Sequence, residues 1–132
     1  FACTYNGRSK SEPYHLYYHH GSGGDSPVTQ GTISMSRVSQ YVDADCIVSG
    51  HIHTKNIGVL AREKLTSRGS RRVFETALVR VSTYKDEYHP LVGWHVEKGR
   101  GPRPTLNPAY WMRIKINRDD RAMVTFHDDP TE

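Results

Sequence analysis

Four histidines occupy two short segments in the first half of the chain, and imidazole is the commonest protein ligand for metal ions. The first segment is Tyr-His-His-Gly at residues 18–21, and the second is Ser-Gly-His-Ile-His-Thr at residues 49–54. His51 and His53 follow the apolar run 46–48 directly, and side chains two residues apart in extended backbone point the same way. Both rings can then face one point, which predicts a metal site.

The adjacent histidines of the first segment face a different constraint. Neighbouring side chains of a strand point to opposite faces, so only one of His19 and His20 is expected to be a ligand. Gly21 and Gly50 let the two segments turn and approach each other. Neutral imidazole suits Zn, Mn, Fe or Ni, and divalent ions of this kind are the expected cofactor.

A βαβ unit is predicted to bring the two segments together. Residues 14–18 are short, aromatic and bounded by Pro13 and Gly21, which is typical of a strand. Residues 28–42 have apolar residues at roughly helical spacing, and the run 46–48 predicts a second strand. Such units build parallel strands whose carboxyl ends carry ligands, so both histidine segments should lie at one edge of a sheet.

The rest of the chain predicts mainly antiparallel strands. Residues 56–65 and 71–83 indicate a hairpin with a turn at 67–70, and residues 110–117 and 122–127 indicate a second hairpin. Residues 1–13 are polar and rich in turn signals, among them Asn6-Gly7. Residues 84–108 predict a long loop that covers a site or carries function.

Composition indicates one soluble domain over residues 1–132. The charge is mixed, with a net value of +4, and no apolar run is long enough to span a membrane. Cys3 and Cys46 do not make a disulfide framework, so a cytoplasmic location is the default expectation. The mild positive charge is compatible with a phosphate ester or a nucleic acid as partner.

The two histidine segments resemble the last two metal motifs of the calcineurin-like metallophosphoesterases. The resemblance rests on Gly50-His51-Ile52-His53 after an apolar strand and on the earlier His19-His20-Gly21. Residues 17–24 and 93–97, followed by residues 102–111, are most similar to phage and prophage members. The family's earlier Asp-x-His and Gly-Asn-His motifs are absent. The resemblance therefore implies an α/β fold, the C-terminal half of an αββα sandwich, with residues 1–132 as a partial domain.

The resemblance also implies roles for single residues. Two divalent metal ions would be held, with His51 and His53 each on one ion. His19, two residues before Gly21, takes the position of the third ligand. His20 would lie beside the ions, either in contact with the substrate as a catalytic residue or in a structural role. The expected reaction is hydrolysis of a phosphomonoester or phosphodiester. Apart from the resemblance, Asp25 and Ser49 could accept hydrogen bonds that orient the imidazole rings. Asp and Ser beside loops also commonly cap helices or face solvent, and both interpretations stay open.

Two other functions stay open. The chain could be a metal-binding or nucleic-acid-binding module without catalysis, or an interaction domain that retains half of a metal site. Basic residues cluster around the first hairpin and in the long loop: Arg62, Lys64, Arg68, Arg71, Arg72, Lys98, Arg100 and Arg103. They could contact a phosphate backbone, although solvated strand faces have the same composition.

Overall fold

A computed structural model of the chain describes residues 2–5, 8–11, 13–24, 26, 28–29, 31–83, 93–99, 108–116 and 122–131. Within these ranges the chain has eight strands and two helices, which confirms a mixed α/β class. In chain order the elements are β1 Ala2–Tyr5, β2 Arg8–Ser11, β3 Leu16–His19, α1 Thr32–Val38, β4 Cys46–Ser49, β5 Asn56–Leu65, β6 Arg71–Arg80, α2 Trp94–Glu97, β7 Trp111–Ile116 and β8 Ala122–His127.

The central sheet has four strands in the order β3-β4-β6-β5. Strand β4 pairs in parallel with both β3 and β6, and β5 pairs with β6 in the antiparallel sense. The predicted βαβ unit of β3, α1 and β4 is therefore confirmed. Strand β5 has the predicted bounds, whereas β6 ends at Arg80 instead of Thr83.

Helix α1 is much shorter than the predicted 28–42. It begins at Thr32 because Gly31 adopts left-handed dihedral angles, with φ 70° and ψ 10°, which interrupt a helix. At the other end, the amide of Gln40 donates to the carbonyl of Arg37 at 3.1 Å, a three-residue spacing that tightens the last turn.

The core lies between α1 and one face of the central sheet. Met35 and Val38 of the helix pack with Ile47 of β4 and Leu78 of β6, and all four are buried. The register places Ile47 directly opposite Leu78, so these two side chains share the covered face. Ala44, just before β4, completes the buried cluster.

The other face of the central sheet exposes apolar side chains. Because side chains alternate along a strand, Tyr18 and Val59 point away from α1. Tyr18 is 78% exposed and Val59 is 65% exposed. Leu16, Ile57 and Val73 are also exposed on this face, which we call the open face. Cys46 and Val79 at its centre are buried. An apolar surface of this kind is typical of a sheet that packs against another layer.

The two remaining sheets are hairpins. Strands β7 and β8 pair in the antiparallel sense within the predicted segments. Strands β1 and β2 also form an antiparallel pair, which the prediction of a turn-rich segment missed; Asn6-Gly7 lies outside the described residues. Helix α2 occurs within the predicted long loop, most of which also lies outside them. Neither described helix is long and apolar enough to cross a membrane.

Cys46 is fully buried at the start of β4. Burial raises the pKa of its thiol to about 11, and a hydrogen bond with Tyr14 offsets only part of that rise. Burial also raises the pKa of the Tyr14 phenol. Between about pH 9 and 11 the folded chain keeps the thiol proton that the unfolded chain loses. The folded state therefore binds more protons in this window, and the chain should lose stability as the pH rises.

We expect Cys46→Ala to remove part of this pH dependence. The free energy of unfolding of the unchanged chain should fall by roughly 2 kcal/mol more than that of the variant between pH 8 and 11, since one pKa unit corresponds to about 1.4 kcal/mol. Urea denaturation followed by circular dichroism at the two pH values measures the difference. An equal decline in both proteins would contradict the role assigned to the thiol.

Candidate functional site

The two histidine segments meet at the carboxyl ends of β3 and β4. The register places His19 opposite Ser49, so the residues that follow both strands lie at the same edge of the sheet. The amide of Gly50 donates to the carbonyl of His20 at 3.1 Å. Gly21 has φ +89°, and a Cβ atom there would lie 3.1 Å from the carbonyl oxygen of Gly50. A glycine therefore permits the close approach of the two loops.

His20 and His51 are in direct contact at this edge. The distance from Nε2 of His20 to Nδ1 of His51 is 3.1 Å, and the rings are close to perpendicular at 79°. Both residues are exposed. A hydrogen bond at this distance requires one nitrogen to carry the proton and the other to accept it. His51 has φ 65°, a conformation that is uncommon outside glycine and clusters at functional sites.

His19 points to the other side of the strand, toward α1. Its ring lies 5.6 Å from the ring of Tyr17, and its Nε2 is buried without a hydrogen-bond partner among the described residues. His19 lines a cavity of about 30 Å³ together with Ser34, Ser49 and Arg80. A buried ring nitrogen without a partner is a candidate ligand, because most buried polar atoms are hydrogen-bonded.

The second histidine segment is turned instead of extended. The amide of Ile52 donates to the carbonyl of Gly50 at 2.8 Å, and the amide of Thr54 donates to the carbonyl of Ile52 at 2.8 Å. The prediction that His51 and His53 point the same way assumed extended backbone, and this assumption is wrong. His51 is exposed beside His20, whereas His53 is half-buried.

The histidines fit a metal ion in part. Two imidazole nitrogens on one Zn²⁺ ion, with bonds of about 2.0–2.1 Å in tetrahedral geometry, lie about 3.4 Å apart. The separation between His20 and His51 is 3.1 Å, which is close to that value. However, the described part of the chain contains no group of three or more His, Cys, Asp or Glu side chains placed to hold a metal ion. Asp25, the predicted acceptor, lies outside the described residues, and Ser49 lies beside His19 in the small cavity.

The end of β6 holds the second histidine segment in place. The Nε of Arg80 donates to the carbonyl of Thr54 at 2.8 Å, and the hydroxyl of Ser82 donates to the carbonyl of His53 at 3.0 Å. Arg80 is only 1% exposed. Neither residue was predicted from the sequence to belong to the site. The available signal was a guanidinium directly after the apolar run 77–79.

Lys55 connects the same segment to the hairpin of β7 and β8. Its ammonium group bonds the carboxylate of Asp128 and lies 3.9 Å from the centre of the Tyr110 ring. Burial and the nearby Asp128 raise the pKa of the Tyr110 phenol, while Arg80 acts in the opposite direction. The hairpin is thus attached next to the histidines by a cation that bonds both a carboxylate and an aromatic face.

A larger cavity of about 510 Å³ lies at the opposite end of the central sheet. It is lined by residues that precede β3 and β4, among them His15 and Asp45, and by Arg62 and Phe74 of the long hairpin. The Nδ1 of His15 lies 3.3 Å from a carboxylate oxygen of Asp45. This cavity is separate from the histidine site, because it faces the amino ends of the parallel strands.

We expect Gly31→Ala to disturb the site through Arg80. A Cβ atom at residue 31 would overlap with the guanidinium of Arg80 and lie 2.7 Å from Cδ1 of Ile52. The substitution should lower the free energy of unfolding by about 2–4 kcal/mol, of which about 1 kcal/mol is backbone strain. Gly23→Ala is the matched control, because φ is +103° there but nothing lies within 4 Å. If urea denaturation showed the same loss of unfolding free energy in Gly31→Ala and Gly23→Ala, the overlap with Arg80 would be contradicted.

Comparisons of the chain with models of known protein families, with curated proteins and with solved structures found no match. Any functional inference therefore rests on the geometry of the histidine segments and on the residues that hold them. The contact between His20 and His51 is the most specific feature of that geometry.

Proposed function

We propose that this chain carries part of the active site of a metal-dependent phosphoesterase, which hydrolyses a phosphomonoester or phosphodiester at a dinuclear metal centre. The observation that carries the proposal is the contact of 3.1 Å between His20 and His51 at the carboxyl ends of two neighbouring parallel strands. Ligands in open α/β sheets bind at such an edge.

The histidines have distinct roles in this proposal. His51 and His53 hold the ions together with His19, whose buried Nε2 has no partner in the described residues. His20 lies beside them and contacts the substrate. Bound divalent ions supply Lewis acidity and a hydroxide ion near neutral pH. A ring nitrogen binds an ion through its lone pair, so Nδ1 of His51 can be a ligand only when it no longer accepts a hydrogen bond from His20.

The anchoring residues keep the second histidine segment in one conformation. Ser82 donates a hydrogen bond to the carbonyl of His53, and Arg80 donates one to the carbonyl of Thr54. These bonds end on backbone carbonyls, so they do not themselves occupy the imidazole rings. A segment held in this way loses less conformational entropy when it binds an ion or a substrate.

The open face supports the finer proposal that the chain is half of an αββα sandwich. Exposed apolar residues such as Tyr18 and Val59 lie on the face away from α1, and a second sheet could pack there at a distance of about 10 Å. In this proposal the second sheet also brings the carboxylate and amide ligands that complete the metal centre. Chain 1–132 alone would then be poorly stable and nearly inactive.

A non-catalytic metal-binding module is the second candidate function. This function needs one ion instead of two, and the ring nitrogens of His20 and His51, 3.1 Å apart, are close to the spacing of two ligands on one ion. The two candidates differ in one observable property. Loss of stability on chelation without hydrolysis under any condition supports the binding module, whereas hydrolysis that appears when the missing ligands are supplied supports the phosphoesterase.

The first prediction concerns metal content. We expect His51→Ala and His53→Ala each to lower the metal-to-protein ratio of protein purified without chelator, measured by elemental analysis, because each removes a ligand. His15→Ala is the control, since it also removes an exposed imidazole but at the opposite end of the sheet. Unchanged metal content in both site variants would overturn the assignment of these ligands.

A second prediction concerns turnover. With bis(p-nitrophenyl) phosphate and Mn²⁺, chain 1–132 should hydrolyse barely more than buffer, because half of the ligands are missing. Robust hydrolysis that depends on the metal and disappears in His51→Ala would support the reaction class and contradict the proposed half-site.

A further inference from the structure

The outer half of the hairpin of β5 and β6 extends beyond the rest of the central sheet. Strand β4 pairs only with residues 77–80 of β6, so the outer residues of β6 pair only with β5 among the described strands. Residues 71–75 are all exposed, in contrast to the buried residues at the end of the same strand. We call residues 62–74 the arm. It is a two-stranded ribbon closed by a loop in which Gly69 has φ +77°.

The arm concentrates the positive charge of the protein. The arm has five cations and a single carboxylate, Glu63, so its net charge is +4. The whole chain also has a net charge of +4, so the remaining residues are neutral in sum. The five cations are Arg62, Lys64, Arg68, Arg71 and Arg72.

The register separates the charges of the arm between its two faces. Lys64 lies directly opposite Arg72, so both side chains project from one face. Glu63 and Arg71 alternate with them on the other face, where they form an ion pair at 3.5 Å. Arg68 is in the loop at the tip. The side chains of Arg68 and Arg72 form no hydrogen bond or ion pair with a residue that the structure describes.

From outside the arm, the carboxylate of Asp43 contacts the face that carries Lys64 and Arg72. Its carboxylate lies 3.3 Å from Nζ of Lys64 and 3.6 Å from a guanidinium nitrogen of Arg62, and its side chain is 81% exposed. Ion pairs this exposed contribute little. Arg62 also donates to the carbonyl of Ser39 and to the hydroxyl of Thr76. Arg62 therefore fixes the base of the arm, whereas Lys64, Arg68 and Arg72 can bind an anion.

From this arrangement we infer that the arm binds the phosphate backbone of double-stranded DNA. A two-stranded ribbon fits the major groove, which is about 12 Å wide. Lys64 and Arg72 on one face and Arg68 at the tip can each contact a phosphate. Contacts from lysine and arginine to phosphates carry no base information, so binding is independent of sequence and sensitive to salt. The inference does not depend on the proposed metal centre.

The test measures binding of the full chain to a fluorescein-labelled DNA duplex of about 20 base pairs, which is two helical turns. Fluorescence anisotropy is recorded with EDTA present, between about 50 and 200 mM KCl. EDTA removes metal ions, so a failure here says nothing about the phosphoesterase proposal. In the double variant R68Q/R72Q, the slope of log K against log salt should become about 1.8 less negative, because each phosphate contact contributes about 0.9. The loss of affinity in the variant should be about 12-fold larger at 50 mM than at 200 mM KCl, because this follows from the change of slope.

The matched control is R37Q/K115Q, which removes the same charge from exposed positions of α1 and β7. We expect its slope and affinity to stay near those of the unchanged chain. Asp43→Asn should have the opposite effect and tighten binding about two- to fivefold, because it releases Lys64 from a competing carboxylate. Circular dichroism confirms that each variant is folded.

Three results would overturn the inference. Equal loss of affinity in both double variants would show only an effect of net charge. Absence of DNA binding by the unchanged chain would exclude double-stranded DNA as the partner of the arm. Binding of phosphatidylserine vesicles that is lost in R68Q/R72Q, while DNA binding is unaffected, would identify the arm as a membrane contact.

Discussion

The parallel pairing of β4 with both of its neighbours is the constraint on which the site depends. Parallel strands place their carboxyl ends at the same edge, and here that edge receives the residues that follow β3, β4 and β6. The packing of Ile47 and Leu78 against α1 holds the register. A slip of one residue in β3 would exchange His19 and His20 between the two faces of the sheet. The buried core therefore determines which histidine meets His51.

Much of the fold could be predicted from the sequence, because several elements are specified by local patterns. The bounds of β5 and β8 agree with the prediction, since alternation and turn residues define them. The helix prediction was less accurate. Apolar spacing suggested residues 28–42, but the left-handed conformation of Gly31 delays the start of α1. Strands β1 and β2 were missed because their segment is polar and lacks apolar alternation.

The candidate site was only partly predictable. Proximity of the two histidine segments follows from strand order, and the contact between His20 and His51 agrees with it. The orientation of His51 relative to His53 does not follow from spacing, because hydrogen bonds within the segment bend it. Arg80 at the end of β6 and Ser82 just after it contact the segment across separations of 26 and 29 residues. Contacts across such a separation depend on tertiary packing, which composition and periodicity do not encode.

Strand β6 connects the arm to the edge of the sheet that carries the histidines. The strand runs without interruption from Arg71 in the arm to Arg80 beside the histidines. Ten residues of strand cover roughly 30 Å, because each adds about 3.3 Å. One turn of double-helical DNA advances about 34 Å. The arm and the histidine edge are therefore fixed at opposite ends of one strand, separated by about the length of one turn of DNA.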